Sequence, residues 1–235
     1  MCLPKTAGEQ SRSPQGPLFL CYITDRCQFP GNAAEQEARL LAKITECASA
    51  GVDYIQLREK DLTPRELEQL AIKAGHALPA GAPTKLLINS RIDVALASGA
   101  HGVHLPSNDL SASEARVILN RAGMHDGIVS ASAHSTEEVA RAESHGADFV
   151  LVAPVFEKAG TANPYGLKLL RQVCLRPHAA DPPMPVLALG GITLNNAAQC
   201  KQAGASGVAA IRLFQDFDAH SVVMGLRAIA AAGSD

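Results

Sequence analysis

The chain has 235 residues, of which 47% are hydrophobic and 4% aromatic, and its formal net charge is −2. This length and apolar content suit one large α/β domain with a sizeable core. The lack of a basic surplus and the scarcity of aromatic rings argue against nucleic-acid binding, so a small-molecule ligand is expected.

The cysteines and the hydropathy pattern bear on where the protein works. Six cysteines are scattered along the chain without a C-x-x-C pair or zinc-ligand spacing, which favours reduced thiols and a cytoplasmic location. No apolar run has the length of a signal-peptide core or a membrane span, so no membrane partner is expected. We predict a disordered polar tail at residues 1–16 and a single domain at 17–235. The sequence leaves open whether the chain forms a homo-oligomer.

Short apolar runs, typical of buried strands, alternate with helical patterns along the chain. The predicted strands cover residues 18–24, the first part of 51–61, 85–89, 102–105, 127–132, 149–153, 185–189 and 207–211. Predicted helices cover 33–50, 64–78, 93–98 and 221–231, and another begins near Thr193. Three Ser/Thr-x-x-Glu capping boxes, at 63–66, 111–114 and 135–138, mark further helix starts.

An internal repeat supports this count of elements. Nearly the same phrase precedes the second, fourth, sixth and eighth predicted strands: AGVDYIQL at 50, SGAHGVHL at 98, HGADFVLV at 145 and AGASGVAA at 203. Such self-similarity indicates repeated supersecondary units. Eight strand-helix units in about 220 residues favour a single-domain α/β fold, the closed (β/α)8 TIM barrel, over an open doubly wound sheet.

In such a barrel the site lies at the carboxyl ends of the strands, so polar residues at those ends become candidates. They are Gln56, Arg58, Lys60, Asn89, Ser90, His104, Asp109, Ser132, His134, the Gly190-Gly191 pair, Arg212 and a loop at 157–165. We expect His104, inside a short strand, to be a hydrogen-bonded barrel histidine rather than a ligand.

The stretch GVDYIQLREKD at 51–61 breaks the strand pattern. Strand alternation puts Gln56, Arg58 and Lys60 on one face, where unpaired cations would be costly to bury and would require an anionic ligand. The alternative is that Arg58 and Lys60 pair with Glu59 and Asp61 on a solvated loop.

Two further features indicate phosphate binding and proton transfer. Gly190-Gly191 precedes a predicted helix where barrels commonly bind phosphate through backbone N–H groups, although a tight turn would also explain the pair. His134, two residues beyond Ser132, is the best general acid-base candidate among the eight histidines. The alternative for His134 is an imidazole that caps the following helix or pairs with a neighbour.

A metal site is a weaker possibility. Asp109, with Asn89 on the adjacent strand, offers oxygen ligands for a hard cation such as Mg²⁺. A single carboxylate makes a weak site, and a residue that begins the turn before the Ser111 helix cap is the alternative reading of Asp109.

Ordered motifs extend over nearly the whole chain after residue 17. They are YITD at 22, GVDYIQLREKD at 51, LLINSRIDVALASGAHGVHL at 86, SAH at 132, HGADFVLVAPVF at 145 and PVLALGGITLNNAAQCKQAGASGVAA at 185. In these motifs the chain resembles the superfamily of thiamine phosphate synthases and TenI proteins.

Resemblance to the synthases implies an enzyme that joins hydroxymethylpyrimidine diphosphate to thiazole phosphate and releases pyrophosphate. It implies that Gln56, Arg58 and Lys60 hold the diphosphate, with Mg²⁺ to neutralise the departing charge. The family pattern has one metal-binding aspartate after the Asn of the third strand and another after the fourth. Here the first position is Ser90, so only Asp109 remains.

Other positions also depart from the synthase pattern. The thiazole-phosphate loop, Thr-Pro-Thr-Lys in synthases, reads EKAGTANPYG here, so the motif is lost and Lys158 and Thr161 are the candidate substitutes. The Val-Ser pair that ends the eighth strand in the family is Ile211-Arg212 here. That change adds a phosphate contact or closes the pocket.

Resemblance to TenI proteins implies a tautomerase that acts on a thiazole carboxylate phosphate through a histidine after the fifth strand, the position of His134. One histidine can transfer a proton without a cofactor, whereas loss of diphosphate with half the metal site replaced should be slow. The sequence therefore favours a TenI-like tautomerase. A synthase with Mg²⁺ is the alternative, and a non-catalytic binder of thiazole or thiamine phosphate is the second alternative.

The tautomerase reading assigns each site residue a role. His134 is the proton shuttle, Gly190, Gly191 and Arg212 surround the substrate phosphate, and Arg58 or Lys60 lies near the carboxylate. Asn89, Ser132 and Ile211 are predicted to line the same substrate pocket.

Overall fold

A computed structural model describes residues 18–156, 166–177 and 182–231 of the chain. The predicted tail at 1–16 and the loop at 157–165, with its predicted ligand Lys158, lie outside the described residues.

Within the described residues, eight parallel strands close into one barrel. The strands are β1 Phe19–Ile23, β2 Tyr54–Leu57, β3 Lys85–Asn89, β4 Gly102–Leu105, β5 Ile128–Ala133, β6 Phe149–Val152, β7 Val186–Leu189 and β8 Gly207–Ala210. Each strand pairs with the next in the sequence, and β1 closes the barrel against β8. The predicted (β/α)8 barrel is confirmed.

Helices follow the strands and pack around the barrel. They are α1 Ala33–Ala50, α2 Pro64–Ala77, α3 Ile92–Ser98, α4 Ala112–Arg121, α5 Thr136–Ser144, α6 Gly166–Cys174, α7 Ala197–Gln202, α8 Arg212–Gln215 and α9 Ala219–Ala231. A short 3₁₀ helix, Arg26–Gln28, follows β1. The sequence predicted neither α8 nor this 3₁₀ helix, and it gave no position for α6. No helix in the described ranges is long and apolar enough to cross a membrane.

The helix predicted near Thr193 starts later than expected. The Thr193 N–H donates to the Asn196 side chain at 2.8 Å, and the Thr193 carbonyl accepts from Ala197 N–H at 3.0 Å. These bonds form a turn, so α7 begins only at Ala197.

Two of the three predicted capping boxes, at 63–66 and 111–114, are confirmed with both reciprocal hydrogen bonds. In the third box, at 135–138, only one of the two predicted hydrogen bonds forms. Ser135 Oγ accepts the Glu138 N–H at 3.2 Å, but Glu138 Oε2 accepts the backbone N–H of His134, at 2.6 Å, instead of that of Ser135. The cap therefore also tethers His134.

The sequence repeat has a structural cause at the amino end of the barrel. Its four glycines have positive φ, which lets the chain turn from a helix into the next strand: Gly51 (90°), Gly99 (69°), Gly146 (79°) and Gly204 (99°). Two residues further on, three of the repeats supply a side chain that accepts a backbone N–H from the neighbouring strand. These pairs are Asp53 with Leu20 (2.7 Å), His101 with Leu86 (3.0 Å) and Asp148 with Val129 (2.7 Å).

Apolar side chains form two layers. The larger layer lies between the barrel and its helices, as expected for strands covered on their outer face. The smaller layer fills the barrel interior and includes Cys21, Ile23, Leu87, Phe149, Leu151, Leu187 and Ala209. Buried polar side chains, among them Gln56, His104 and Ser130, are interspersed with this inner layer, so the interior is not uniformly apolar.

Candidate active site at the carboxyl end of the barrel

Alternate residues of each strand point into the barrel, and this brings Gln56 and Asn89 together. Gln56, on β2, is only 2% exposed, and its Nε2 donates to Asn89 Oδ1 on β3 at 3.5 Å. The predicted grouping of these two amides is therefore present in the structure. Their role as substrate ligands stays a prediction.

The two cations that follow β2 are not neutralised by their sequence neighbours. Glu59 and Asp61 both bind Arg26, at 3.1 and 2.7 Å, so the predicted alternative in which they pair with Arg58 and Lys60 is wrong. In the part of the chain that the structure describes, neither Arg58 nor Lys60 makes a salt bridge. Two positive charges that have no salt-bridge partner among the described residues thus lie at the mouth of the barrel, where they favour an anion.

His104 is held inside the barrel between two serines, as the sequence predicted for a barrel histidine. Its Nδ1 lies 2.9 Å from Ser130 Oγ and its Nε2 lies 2.8 Å from Ser132 Oγ. Burial lowers the pKa of His104 to about 3, and the positive charge of Arg58 acts in the same direction. The imidazole is therefore neutral at physiological pH, with a single N–H to donate.

The hydrogen-bond network favours one position for that proton. With Ser130 Oγ donating to the carbonyl of Val103, 3.4 Å away, the same oxygen accepts the proton of Nδ1. Nε2 is then the acceptor, and the hydroxyl of Ser132 donates to it. The remaining lone pairs of Ser132 are left to accept a hydrogen bond from a ligand. The sequence analysis selected Ser132 but did not find this connection to His104.

His134 is exposed just beyond β5 and is held at two points. Its Nδ1 lies 2.7 Å from the carbonyl oxygen of Ala153, and its backbone N–H donates to Glu138. A carbonyl only accepts, so Nδ1 donates to it, and Nε2 has no hydrogen-bond partner among the described residues. This geometry suits proton transfer at Nε2, although the predicted catalytic role stays a prediction.

Ser90 and Asp109 contact each other. The hydroxyl of Ser90 donates to Asp109 Oδ2, while Oδ1 accepts the N–H of Leu110 at 2.8 Å. The Asp109 N–H donates to the carbonyl of Pro106 at 3.0 Å, so Asp109 ends a turn that starts at Pro106 instead of beginning one, as the alternative had it. No group of three His, Cys, Asp or Glu side chains with metal-binding geometry occurs among the described residues.

Gly190 and Gly191 follow β7 with φ of 102° and 62°. A Cβ atom on Gly190 would lie 2.9 Å from Pro154 Cα, so the close approach of this neighbour requires glycine there. Neither glycine N–H donates to a backbone carbonyl within the described residues. Those N–H groups are available to a phosphate, but the turn at 193–196 separates them from α7, so the expected helix amino terminus is not adjacent.

Ile211 and Arg212, the two residues that follow β8, lie in different environments. Ile211 is half-buried and packs with the inner layer of the barrel. Arg212 is the first residue of α8 and is exposed. The structure therefore places Ile211 against the barrel interior and leaves Arg212 exposed on the rim, and their roles as ligands stay predictions.

Sequence reasoning missed Thr24 and Arg26, which bind the loop after β2. Thr24 Oγ1 donates to Glu59 Oε1 at 2.5 Å and accepts the backbone N–H of Arg58 at 3.0 Å. The available signal was that Thr24 is a polar residue at the end of the first predicted strand, as the other candidates are at theirs.

Comparisons with known proteins agree with this architecture. The profile of a family described as thiamine monophosphate synthase matches residues 20–214. A putative thiamine-phosphate synthase 2 from Aquifex aeolicus is 41% identical over 197 residues, covering 83% of this chain and 96% of that protein. A thiamine-phosphate synthase from Halalkalibacterium halodurans is 38% identical over 184 residues, covering 77% and 82%.

A solved structure is also similar. Thiamine phosphate pyrophosphorylase from Pyrococcus furiosus superposes with a TM-score of 0.74 at 28% identity, covering 93% of this chain and 98% of that one.

Proposed function

Since the chain belongs to the thiamine monophosphate synthase family, we propose that it is a thiamine-phosphate synthase, a transferase that joins a pyrimidine diphosphate to a thiazole phosphate. The observation that supports this best is the pair of cations at the barrel mouth, Arg58 and Lys60, which form no salt bridge within the described part of the chain. A departing diphosphate carries more negative charge than a carboxylate, so it suits two cations better. The names of the relatives favour the same choice over the tautomerase that the sequence alone favoured.

In this proposal the residues of β2 and its following loop bind the leaving group. Arg58 and Lys60 bind diphosphate oxygens through charge-assisted hydrogen bonds, and the Gln56 amide donates from inside the barrel. These contacts strengthen as negative charge develops on the departing pyrophosphate, so they lower the barrier to breaking the bond between carbon and oxygen. The Gly190 and Gly191 N–H groups bind the thiazole phosphate.

The donor set fits a magnesium ion only in part. Asp109 is the one candidate carboxylate among the described residues, and Ser90 with Asn89 supplies neutral oxygens nearby. Mg²⁺ usually keeps several waters and binds through one or two carboxylates plus substrate phosphates, so this set suits an ion that arrives with the diphosphate. When bound, the ion would neutralise part of the diphosphate charge.

His134 supports a second candidate, the thiazole tautomerase. Its Nδ1 contact with the Ala153 carbonyl leaves Nε2 of the neutral ring able to accept and return a proton. This chemistry needs neither a diphosphate nor a metal ion.

One experiment separates these candidates. The full chain is incubated with the pyrimidine diphosphate and thiazole phosphate, or with the thiazole carboxylate phosphate alone, each with and without Mg²⁺. Pyrophosphate and the thiazole isomers are then quantified. Pyrophosphate release that requires Mg²⁺ and Arg58 supports the synthase. Conversion of the thiazole isomers that does not depend on Mg²⁺ and is lost in His134→Ala supports the tautomerase. Binding of the substrates without turnover supports neither enzyme.

A further inference from the structure

Arg26 links the end of β1 to the loop that follows β2. Its side chain is only 9% exposed, and its guanidinium bonds to Asp61 through two parallel contacts of 2.7 Å. Nη1 also reaches Glu59 Oε2 at 3.1 Å. Bidentate arginine-carboxylate contacts are among the strongest and most directional hydrogen bonds in proteins, so this arginine fixes the geometry of both acids.

Glu59 is the centre of this network. Its side chain is 1% exposed and accepts from the Thr24 hydroxyl, the Arg26 backbone N–H and the Arg26 guanidinium. Burial raises the pKa of the Glu59 carboxyl, and the hydrogen bonds from Thr24 and Arg26 act in the opposite direction. A buried carboxylate is costly unless its partners are all in place, so Glu59 tolerates little movement of the chain around it.

The network reaches the residues beside Glu59 through the backbone. The Arg58 N–H donates to Thr24 Oγ1 at 3.0 Å, and the Thr24 N–H donates to the Gln56 carbonyl at 2.9 Å. Gln56, Arg58 and Glu59 are thus each bonded to the segment that follows β1. Since acids and bases alternate along 58–61, turning Glu59 and Asp61 towards Arg26 leaves the Arg58 and Lys60 side chains outside the network.

We propose that Arg26 and Glu59 are positioning residues that hold the 58–61 loop so that Arg58 and Lys60 face a diphosphate group. This inference rests on the proposed function, because it names the site that receives the leaving group. Arg26 and Glu59 act through the placement of the two cations and do not themselves touch the substrate.

The test compares Glu59→Gln with a matched control, Glu143→Gln. Glu143 is also a buried glutamate, 7% exposed, and pairs with Arg176 at 2.7 Å. It lies near the end of α5, away from the carboxyl ends of the strands. Both substitutions keep the side-chain size and remove one buried charge, so a general loss of stability should appear in both variants.

Binding of inorganic pyrophosphate to each full-length variant is measured by calorimetry at fixed Mg²⁺, and the KM of each substrate is measured in parallel. We expect Glu59→Gln to weaken pyrophosphate binding by about tenfold to a hundredfold, the loss typical of a group misplaced by about 1 Å. The KM for the pyrimidine diphosphate should rise with it, while the KM for the thiazole phosphate stays within about twofold. Glu143→Gln should leave all three values unchanged.

Pyrophosphate binding that is equal in Glu59→Gln and Glu143→Gln would overturn the positioning role, even if both variants are active synthases. A different outcome is that Glu59→Gln binds pyrophosphate more weakly while the wild type releases no pyrophosphate from either substrate set. That outcome would refute the synthase and leave the positioning role intact. If Glu59→Gln does not fold, Arg26→Lys is used, because lysine keeps the charge but lacks the bidentate fork. It should weaken pyrophosphate binding in the same substrate-selective way, and unchanged binding would again overturn the inference.

Discussion

The buried imidazole of His104 should make the fold sensitive to mild acid. Its pKa is about 3 in the folded protein, against the ordinary value of 6.5 in an unfolded chain. Between these values the unfolded chain binds a proton that the folded protein excludes. The contribution of His104 to stability is therefore fully present above pH 6.5 and is lost as the pH falls towards 3.

The size of this effect follows from linkage. Stability should fall by about 1.4 kcal/mol per pH unit below pH 6.5, or by about 2 kcal/mol between pH 7.5 and pH 5. Urea unfolding at several pH values measures the free energy of unfolding of the wild type and of His104→Gln. The difference between the two curves isolates His104 from the other titrating groups, including His101, whose pKa burial also lowers.

We expect the wild type to lose about 2 kcal/mol more than His104→Gln over that pH range. Parallel curves would refute the conclusion that His104 is neutral and locked between Ser130 and Ser132. NMR of the histidine ring protons gives an independent check, since His104 should show no titration between pH 8 and pH 5.

Three further predictions concern the mouth of the barrel. Arg58→Gln should raise the KM for the pyrimidine diphosphate at least about tenfold in steady-state assays and leave the thiazole KM nearly unchanged. Gly190→Ala should destabilise the fold by about 1 to 3 kcal/mol in urea unfolding, because its φ is 102° and the added Cβ would lie 2.9 Å from Pro154. Ser90→Asp, which adds a second carboxylate beside Asp109, should tighten Mn²⁺ binding roughly tenfold by electron paramagnetic resonance.

Each of these predictions has a contrary outcome. Equal rises of both KM values in Arg58→Gln would point to a general distortion of the pocket. An unchanged unfolding free energy in Gly190→Ala would mean that the turn relaxes without strain. Unaltered Mn²⁺ affinity in Ser90→Asp would show that position 90 does not reach the ion.

Local patterns predicted the fold well because the barrel repeats one local rule. Apolar runs placed seven of the eight strands within one residue of their observed bounds, whereas β2 was placed only in the first part of 51–61. The repeated glycines at Gly51, Gly99, Gly146 and Gly204 all adopt positive φ. The start of α7 was wrong because the side chain of Asn196 takes the N–H of Thr193, which composition does not reveal. The caps at 63–66 and 111–114 were predictable because both partners lie within one turn.

The candidate site was predictable only where position along a strand decides which way a residue points. Gln56 and Asn89 meet because parallel strands present their carboxyl ends at one edge. The partners of Glu59 were not predictable from the sequence, because Arg26 lies 33 residues away. The adjacent bases, Arg58 and Lys60, suggested instead a local pairing that does not occur. Long-range pairing of this kind depends on how the loops pack, which no local pattern encodes.

The synthase proposal is tested most directly by the release of pyrophosphate when the full chain is supplied with both substrates and Mg²⁺. We expect pyrophosphate and thiamine phosphate to form in equal amounts, and both to fall together in Arg58→Gln while His134→Ala retains more activity. Conversion of thiazole isomers without any pyrophosphate, abolished in His134→Ala and unaffected in Arg58→Gln, would contradict it.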